Sequence, residues 1–152
     1  TYPIALAHCV SEEFASVRAH GQDAAPGLNG QTAATLCDPA GNLAILHTTM
    51  LSDTPNSAVI AGREATVHID GPFFMPGPFT LTRHKGHPTA PRRILRYDEK
   101  PGVQADGLHY AAAEAARLIA QGRTESEIHP LRYAIATLDV ADEIRRQLRA
   151  TR

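Results

Sequence analysis

Few residues in this sequence are suited to proton or ligand chemistry, and they are scattered. Tyr2 stands near the start. A phenol can relay a proton to or from a hydroxyl when suitably placed, yet from its neighbours alone Tyr2 reads as a packing residue. His84 and His87 lie in Arg83-His84-Lys85-Gly86-His87-Pro88. A metal there lacks a third ligand and is opposed by two cations, so the stretch reads as a solvated loop. Lys100, in Glu99-Lys100-Pro101, could act as an acid or base only in a buried or charge-tuned setting. Its sequence context reads instead as a surface turn. Three of the four phenylalanines, Phe73, Phe74 and Phe79, fall within seven residues of a Pro- and Gly-rich stretch with Met75. That cluster can wall a pocket, but caps a core more readily. His109-Tyr110 opens a helical pattern, where an anion is favoured, although half-buried packing is the commoner use.

Familiar catalytic signatures are absent from the sequence. It contains neither G-x-G-x-x-G nor G-x-x-x-x-G-K-[ST], so neither phosphate-cradling loop is present. There is no G-x-S-x-G, C-x-x-C or H-E-x-x-H. No cofactor-binding or metal-binding residue is expected in this stretch of chain.

The bulk numbers set limits. At 152 residues the chain fits one domain. Its 43% hydrophobic and 20% charged content is globular. Fifteen Lys and Arg against sixteen Asp and Glu leave a net charge of −1, which gives no electrostatic case for nucleic acid or an anionic membrane. No segment approaches the ~20 apolar residues of a membrane span. Cys9 and Cys37 are too few for a disulfide framework and read as reduced thiols of a cytoplasmic protein. Residues 1–7 carry no basic leading region, and an opening at Thr1-Tyr2-Pro3 reads as a fragment.

The elements that must hold these residues follow from periodicity. Residues 3–10 read as a short helix with Pro3 in its first turn. Strand alternation runs from Phe14 through Ala15, Val17 and Ala19. Residues 23–30 read as a loop, 31–37 as a strand, 38–42 as a turn and 43–51 as a strand, a hairpin pattern. Two strands follow at 58–61 and 65–69. Residues 71–78, with three prolines, cannot be a ladder strand. Late strands are expected at 79–83 and 92–97. Asp106 then caps a helix through Tyr110, Leu118 and Ile119, with Gly122 past its end. A last helix from Pro130 places Leu131, Ile135, Leu138, Ala141, Ile144 and Leu148 at helical spacing. Strands followed by helices predict an α+β fold: an open, mostly antiparallel sheet with helices on one face.

In the third strand one face carries Leu43, Ile45, His47 and Thr49, and the other Ala44, Leu46, Thr48 and Met50. Neither is clearly polar, and helices cover only one side. A second layer over the open face, plausibly another subunit, is the expectation.

Several stretches together resemble one family. They are residues 1–4, the run Thr54-Pro55-Asn56-Ser57-Ala58-Val59-Ile60-Ala61-Gly62-Arg63-Glu64-Ala65, and Asp70-Gly71-Pro72-Phe73-Phe74. Residues 109–114, 122–126 and the closing helix continue the series. In order and spacing they resemble the C-terminal domain of the Gfo/Idh/MocA oxidoreductases, especially the dimeric dihydrodiol dehydrogenase branch.

The resemblance implies a single domain over residues 1–152, like the C-terminal domain of glyceraldehyde-3-phosphate dehydrogenase. It would be the substrate-side half of a two-domain enzyme acting on a CH–OH group of a sugar, polyol or diol. An upstream Rossmann domain, outside this sequence, would bind NAD or NADP and carry the family lysine, so the fragment alone would be inactive. Tyr2 matches the family position beside the reacting carbon and would be catalytic. Phe74 matches an aromatic position lining the pocket. His109 is expected as a substrate contact from its place at a helix start, not from the resemblance. Residues 102–106 lack the further pocket aromatic of some relatives, which weakens the case for an aromatic diol. The open sheet face would form a homodimer. The competing reading is a non-catalytic β-sheet module that assembles or binds a partner.

Overall fold

A computed structural model describes residues 1–84, 93–97 and 107–150. Lys85, His87, the Glu99-Lys100-Pro101 tripeptide, residues 102–105 and the expected cap Asp106 lie outside the described residues. The order is α1 (Tyr2–His8), β1 (Ser16–Ala25), β2 (Leu28–Cys37), β3 (Leu43–Thr49), β4 (Ala58–Ala61), β5 (Ala65–Ile69), β6 (Phe79–Arg83), β7 (Arg93–Tyr97), α2 (Leu108–Ala120) and α3 (Leu131–Ala150). This is an α+β fold in which every strand pairing is antiparallel. Among the described residues the seven strands form two ladders, β1-β2-β3 and β4-β5-β6-β7. Ser52 to Asn56, with Pro55, breaks the extended chain between them.

The chain divides into two compact units. The first comprises Thr1–Thr54 and Leu118–Arg152, the second Pro55–Arg117. In the first, β1 and β2 run on through the stretch read as a loop from sequence. Ala25 pairs with Leu28, leaving only Pro26-Gly27 as the connection. Pro26 fixes φ and Gly27 takes φ 77°, which together turn the chain in two residues. Register irregularities at Gln22/Asp23 and Asp23/Ala25 explain the loss of clean alternation that hid these strand ends. The β2–β3 turn is closed by Asp38 N–H donating to the Asn42 carbonyl at 3.0 Å, with Gly41 at φ 86°.

Val17, Ala19, Ala34, Leu36, Ala44 and Leu46 share one face of this ladder by register. That face meets Ile4 and Ala7 of α1 and Val140, Ala141 and Ile144 of α3. Leu36 at the centre is 0% exposed, a burial that contributes roughly 2 kcal/mol. On the other face Leu43 and Ile45 are open, Ile45 at 79%. The expected one-sided covering of this ladder is therefore found. Only half of α3 behaves as its pattern suggested: Val140, Ala141 and Leu148 are buried, while Leu131, Ile135 and Leu138 are exposed. The buried side of α3 runs through Thr137, Val140, Ala141 and Leu148, and at about 3.6 residues per turn Leu131, Ile135 and Leu138 fall on nearly the opposite side.

In the second unit, Ile60, Val67, Ile69 and Leu81 share one half-buried face, and Thr66, His68, Thr80 and Thr82 the other. Gly71 lies so close to the preceding segment that a Cβ there would stand 1.9 Å from the Pro55 carbonyl oxygen. Phe73 N–H donates to the Asn56 carbonyl at 2.8 Å. These contacts fix the base of the Phe73-Phe74-Met75 loop.

Candidate functional site

Tyr2 occupies the first turn of α1, with Pro3 beside it in a position where a missing N–H costs nothing. Tyr2 is 61% exposed, so it does not pack into the core. Its neighbours Thr1 and Pro3 line a cavity of about 240 Å³ within the same unit. Ile4, Leu46, Ile144 and Leu148 give that cavity an apolar floor, and Asn29, Thr32, Thr48 and Arg145 bring polar groups to it. Thr32 Oγ1 donates to Asn29 Oδ1 at 2.9 Å, and Arg145 is paired with Asp142 at 2.6 Å. Hydroxyls, an amide and one guanidinium can bind a small hydroxylated molecule. Among the described residues no carboxylate or imidazole lines the cavity, and Tyr2 is not one of its lining residues.

Phe74 and His109 belong to the second unit. Phe74 is half-exposed and meets Phe73 edge to face, ring centroids 5.5 Å apart. His109 lies in the first turn of α2, its ring 4.1 Å from that of Tyr110. The two segments meet: a Cβ on Gly107, just before α2, would be 2.7 Å from the Pro76 ring of the Phe-rich loop. Gly107 also holds φ 87°, so the junction needs glycine twice over. The aromatic loop and the helix start that the sequence singled out separately are thus neighbours. Tyr2 stands in the other unit.

His84 Nε2 is 2.8 Å from Thr66 Oγ1 across the sheet. Among the described residues no group of three or more His, Cys, Asp or Glu could hold a metal ion. No helix among them is long and apolar enough to cross a membrane.

Two carboxylates have strongly lowered pKa values. Asp38 is held at about 2 by hydrogen bonds from the Ser11 hydroxyl and the Asn42 side chain. Glu143 is held at about 2 by Arg146 and by the Gln147 amide. Asp38 ties the exit of α1 to the β2–β3 turn, Glu143 bonds within α3, and neither lines the cavity; their shifts belong to structure. Sequence reading missed Asn29, Thr32, Thr48 and Arg145. Their convergence depends on strand register and on the α3 packing angle, and no local motif carries either.

No protein-family profile matches the chain, and no curated protein matches it by sequence. Solved structures match it by fold. UDP-N-acetylglucosamine 3-dehydrogenase from Acidithiobacillus ferrooxidans superposes with a TM-score of 0.77 over 97% of this chain, at 18% identity. The aldose-aldose oxidoreductase from Caulobacter crescentus gives 0.72 over 99% at 19% identity. A levoglucosan dehydrogenase solved with NADH and L-sorbose gives 0.71 over 97% at 12% identity. The chain covers 45%, 44% and 47% of these proteins, so it spans less than half their length. All three are sugar dehydrogenases or oxidoreductases by name, and their shared fold is the one that the Gfo/Idh/MocA resemblance implies.

Proposed function

We propose that this chain is the substrate-side domain of an NAD(P)-dependent oxidoreductase of the Gfo/Idh/MocA kind, acting on a CH–OH group of a sugar, polyol or diol. One observation carries the reading: nearly the whole chain shares its fold with three sugar oxidoreductases, while covering less than half of each. Fold alone does not fix chemistry, so the residues must supply the rest.

Every strand pair here is antiparallel. The sequence also lacks a Gly-rich strand-to-helix turn, so the described residues do not suit the phosphates of a dinucleotide. NAD or NADP is held by the remainder of the parent protein, and hydride transfer is the chemistry it supplies. Tyr2 helps the lysine of the upstream domain move the proton of the substrate hydroxyl, a relay for which an exposed tyrosine at a helix start is suited. Phe74 offers a ring edge to the sugar or polyol carbon skeleton. His109, in the first turn of α2, is placed to hydrogen-bond its hydroxyls.

The uncovered face of β1-β2-β3, with Leu43 and Ile45 exposed, forms the homodimer contact. Cys9 and Cys37 are both free, which suits the reducing cytoplasm. The test is expression of the complete gene that encodes this chain, followed by coenzyme titration and a sugar and polyol turnover screen. Micromolar NAD(P) binding with turnover of a CH–OH substrate is expected. Absence of coenzyme binding in the folded full-length protein contradicts the reading, as does tight NADPH binding by residues 1–152 alone.

A further inference from the structure

The outer edge of β1 is answered by a side chain where an edge strand ordinarily presents open backbone groups. β1 ends the order β1-β2-β3, and such edges are templates for strand addition. On this edge the Val17 carbonyl accepts from Gln147 Nε2 at 2.8 Å, and the Ala19 N–H donates to Gln147 Oε1 at 2.9 Å. One primary amide therefore makes the two bonds that a neighbouring strand's peptide would make.

Two further features set this amide in place. Glu143, one turn earlier on α3, accepts a second bond from Gln147 Nε2 at 2.7 Å and is gripped by Arg146 Nε and Nη2, each at 2.7 Å. Gly21, further along β1, has no side chain where a Cβ would stand 2.8 Å from Leu148 Cδ2. That gap lets α3 lie close enough for Gln147 to reach the strand.

We propose that Gln147, oriented by Glu143, is an autoinhibitory contact that blocks strand addition at the β1 edge by a second copy of this chain. The inference is independent of the oxidoreductase reading, because it uses only backbone groups and α3.

The test is Gln147→Leu in the 152-residue chain, by sedimentation velocity over a wide concentration range, with amide exchange followed by NMR. In dilute solution the Ala19 amide should exchange about tenfold faster than in the wild type, as for one lost hydrogen bond. At higher concentration the variant should form species larger than any wild-type species, with Ala19 protected again. A folded Gln147→Leu chain with the wild-type size distribution at every concentration overturns the proposal. Should the variant lose its fold by circular dichroism, the wild-type exchange rates decide. Ala19 must then be protected as well as Ala34, its partner across the ladder, and an Ala19 amide that exchanges freely overturns the proposal.

Discussion

Ser11 donates its hydroxyl to Asp38 Oδ2 at 2.6 Å, joining the exit of α1 to the turn between β2 and β3. Asn42 completes the arrangement, its backbone N–H and its side-chain amide each donating to the same carboxylate at 2.8 Å. A short helix of seven residues is marginal by itself. This carboxylate, together with Ile4 and Ala7 in the core, holds α1 and hence Tyr2 in a fixed place.

Acid should loosen this attachment in a defined window. The folded Asp38 has a pKa lowered from 3.8 to about 2, and Glu143 from 4.5 to about 2. A depressed folded pKa gives stability that is fully present above the unfolded value and lost as pH falls towards the folded one. The thermal midpoint should therefore hold at neutral pH and fall between about pH 4.5 and 2. Asp38→Asn should lower the neutral midpoint and flatten part of that acid slope. An unchanged slope in Asp38→Asn contradicts the assignment.

His8 should be replaceable at a gain. It is buried between Phe14 and Tyr133, with ring centroids 5.0 Å and 6.5 Å away. Neither ring nitrogen has a hydrogen-bond partner among the described residues. An unsatisfied buried polar group costs about 1–3 kcal/mol. His8→Leu should raise the urea-unfolding free energy by about 1 kcal/mol. A loss of stability would show that the imidazole makes a polar contact in solution.

Two packing substitutions should separate the units. Leu36→Ala, at the centre of the first unit, should cost about 3–4 kcal/mol by urea unfolding. Gly71→Ala, in the second, forces a Cβ against the Pro55 carbonyl and should cost about 1–3 kcal/mol. Amide exchange of β4 and β5 reports the second change directly, and unaltered exchange there would deny the close approach.

The open face should govern assembly. Ile45 is exposed and lies beside Thr35 in the register. Ile45→Glu should leave the thermal midpoint nearly unchanged and shift the sedimentation coefficient to that of a monomer. A variant that remains dimeric places the interface elsewhere.

Much of the fold was legible in the chain because periodicity is local. Residues 31–37 and 43–51 read as strands, and β2 and β3 cover them except for Met50 and Leu51. The ends of β1 and β2 were hidden because bulges near Asp23 interrupt alternation. The apolar positions of α3 marked the helix but not its contacts, since the packed side is not set by apolar type alone: Thr137 is buried and Leu138 beside it is exposed. Leu131, Ile135 and Leu138 are spaced like core residues and are exposed. Phe74 and His109 stood out by type alone; their neighbouring segments meet through Pro76 and Gly107, a contact between distant residues. Gln147 gave no signal, because an amide bonding a strand edge looks in sequence like any polar helix position.

The role of Tyr2 bears most directly on the central claim. In the full-length protein, steady-state turnover of a CH–OH substrate should be compared between wild type and Tyr2→Phe, with coenzyme affinity measured alongside. The expected result is a kcat about a hundredfold lower, with NAD(P) affinity and circular dichroism unchanged. A Tyr2→Phe enzyme that turns over at the wild-type rate would contradict the account.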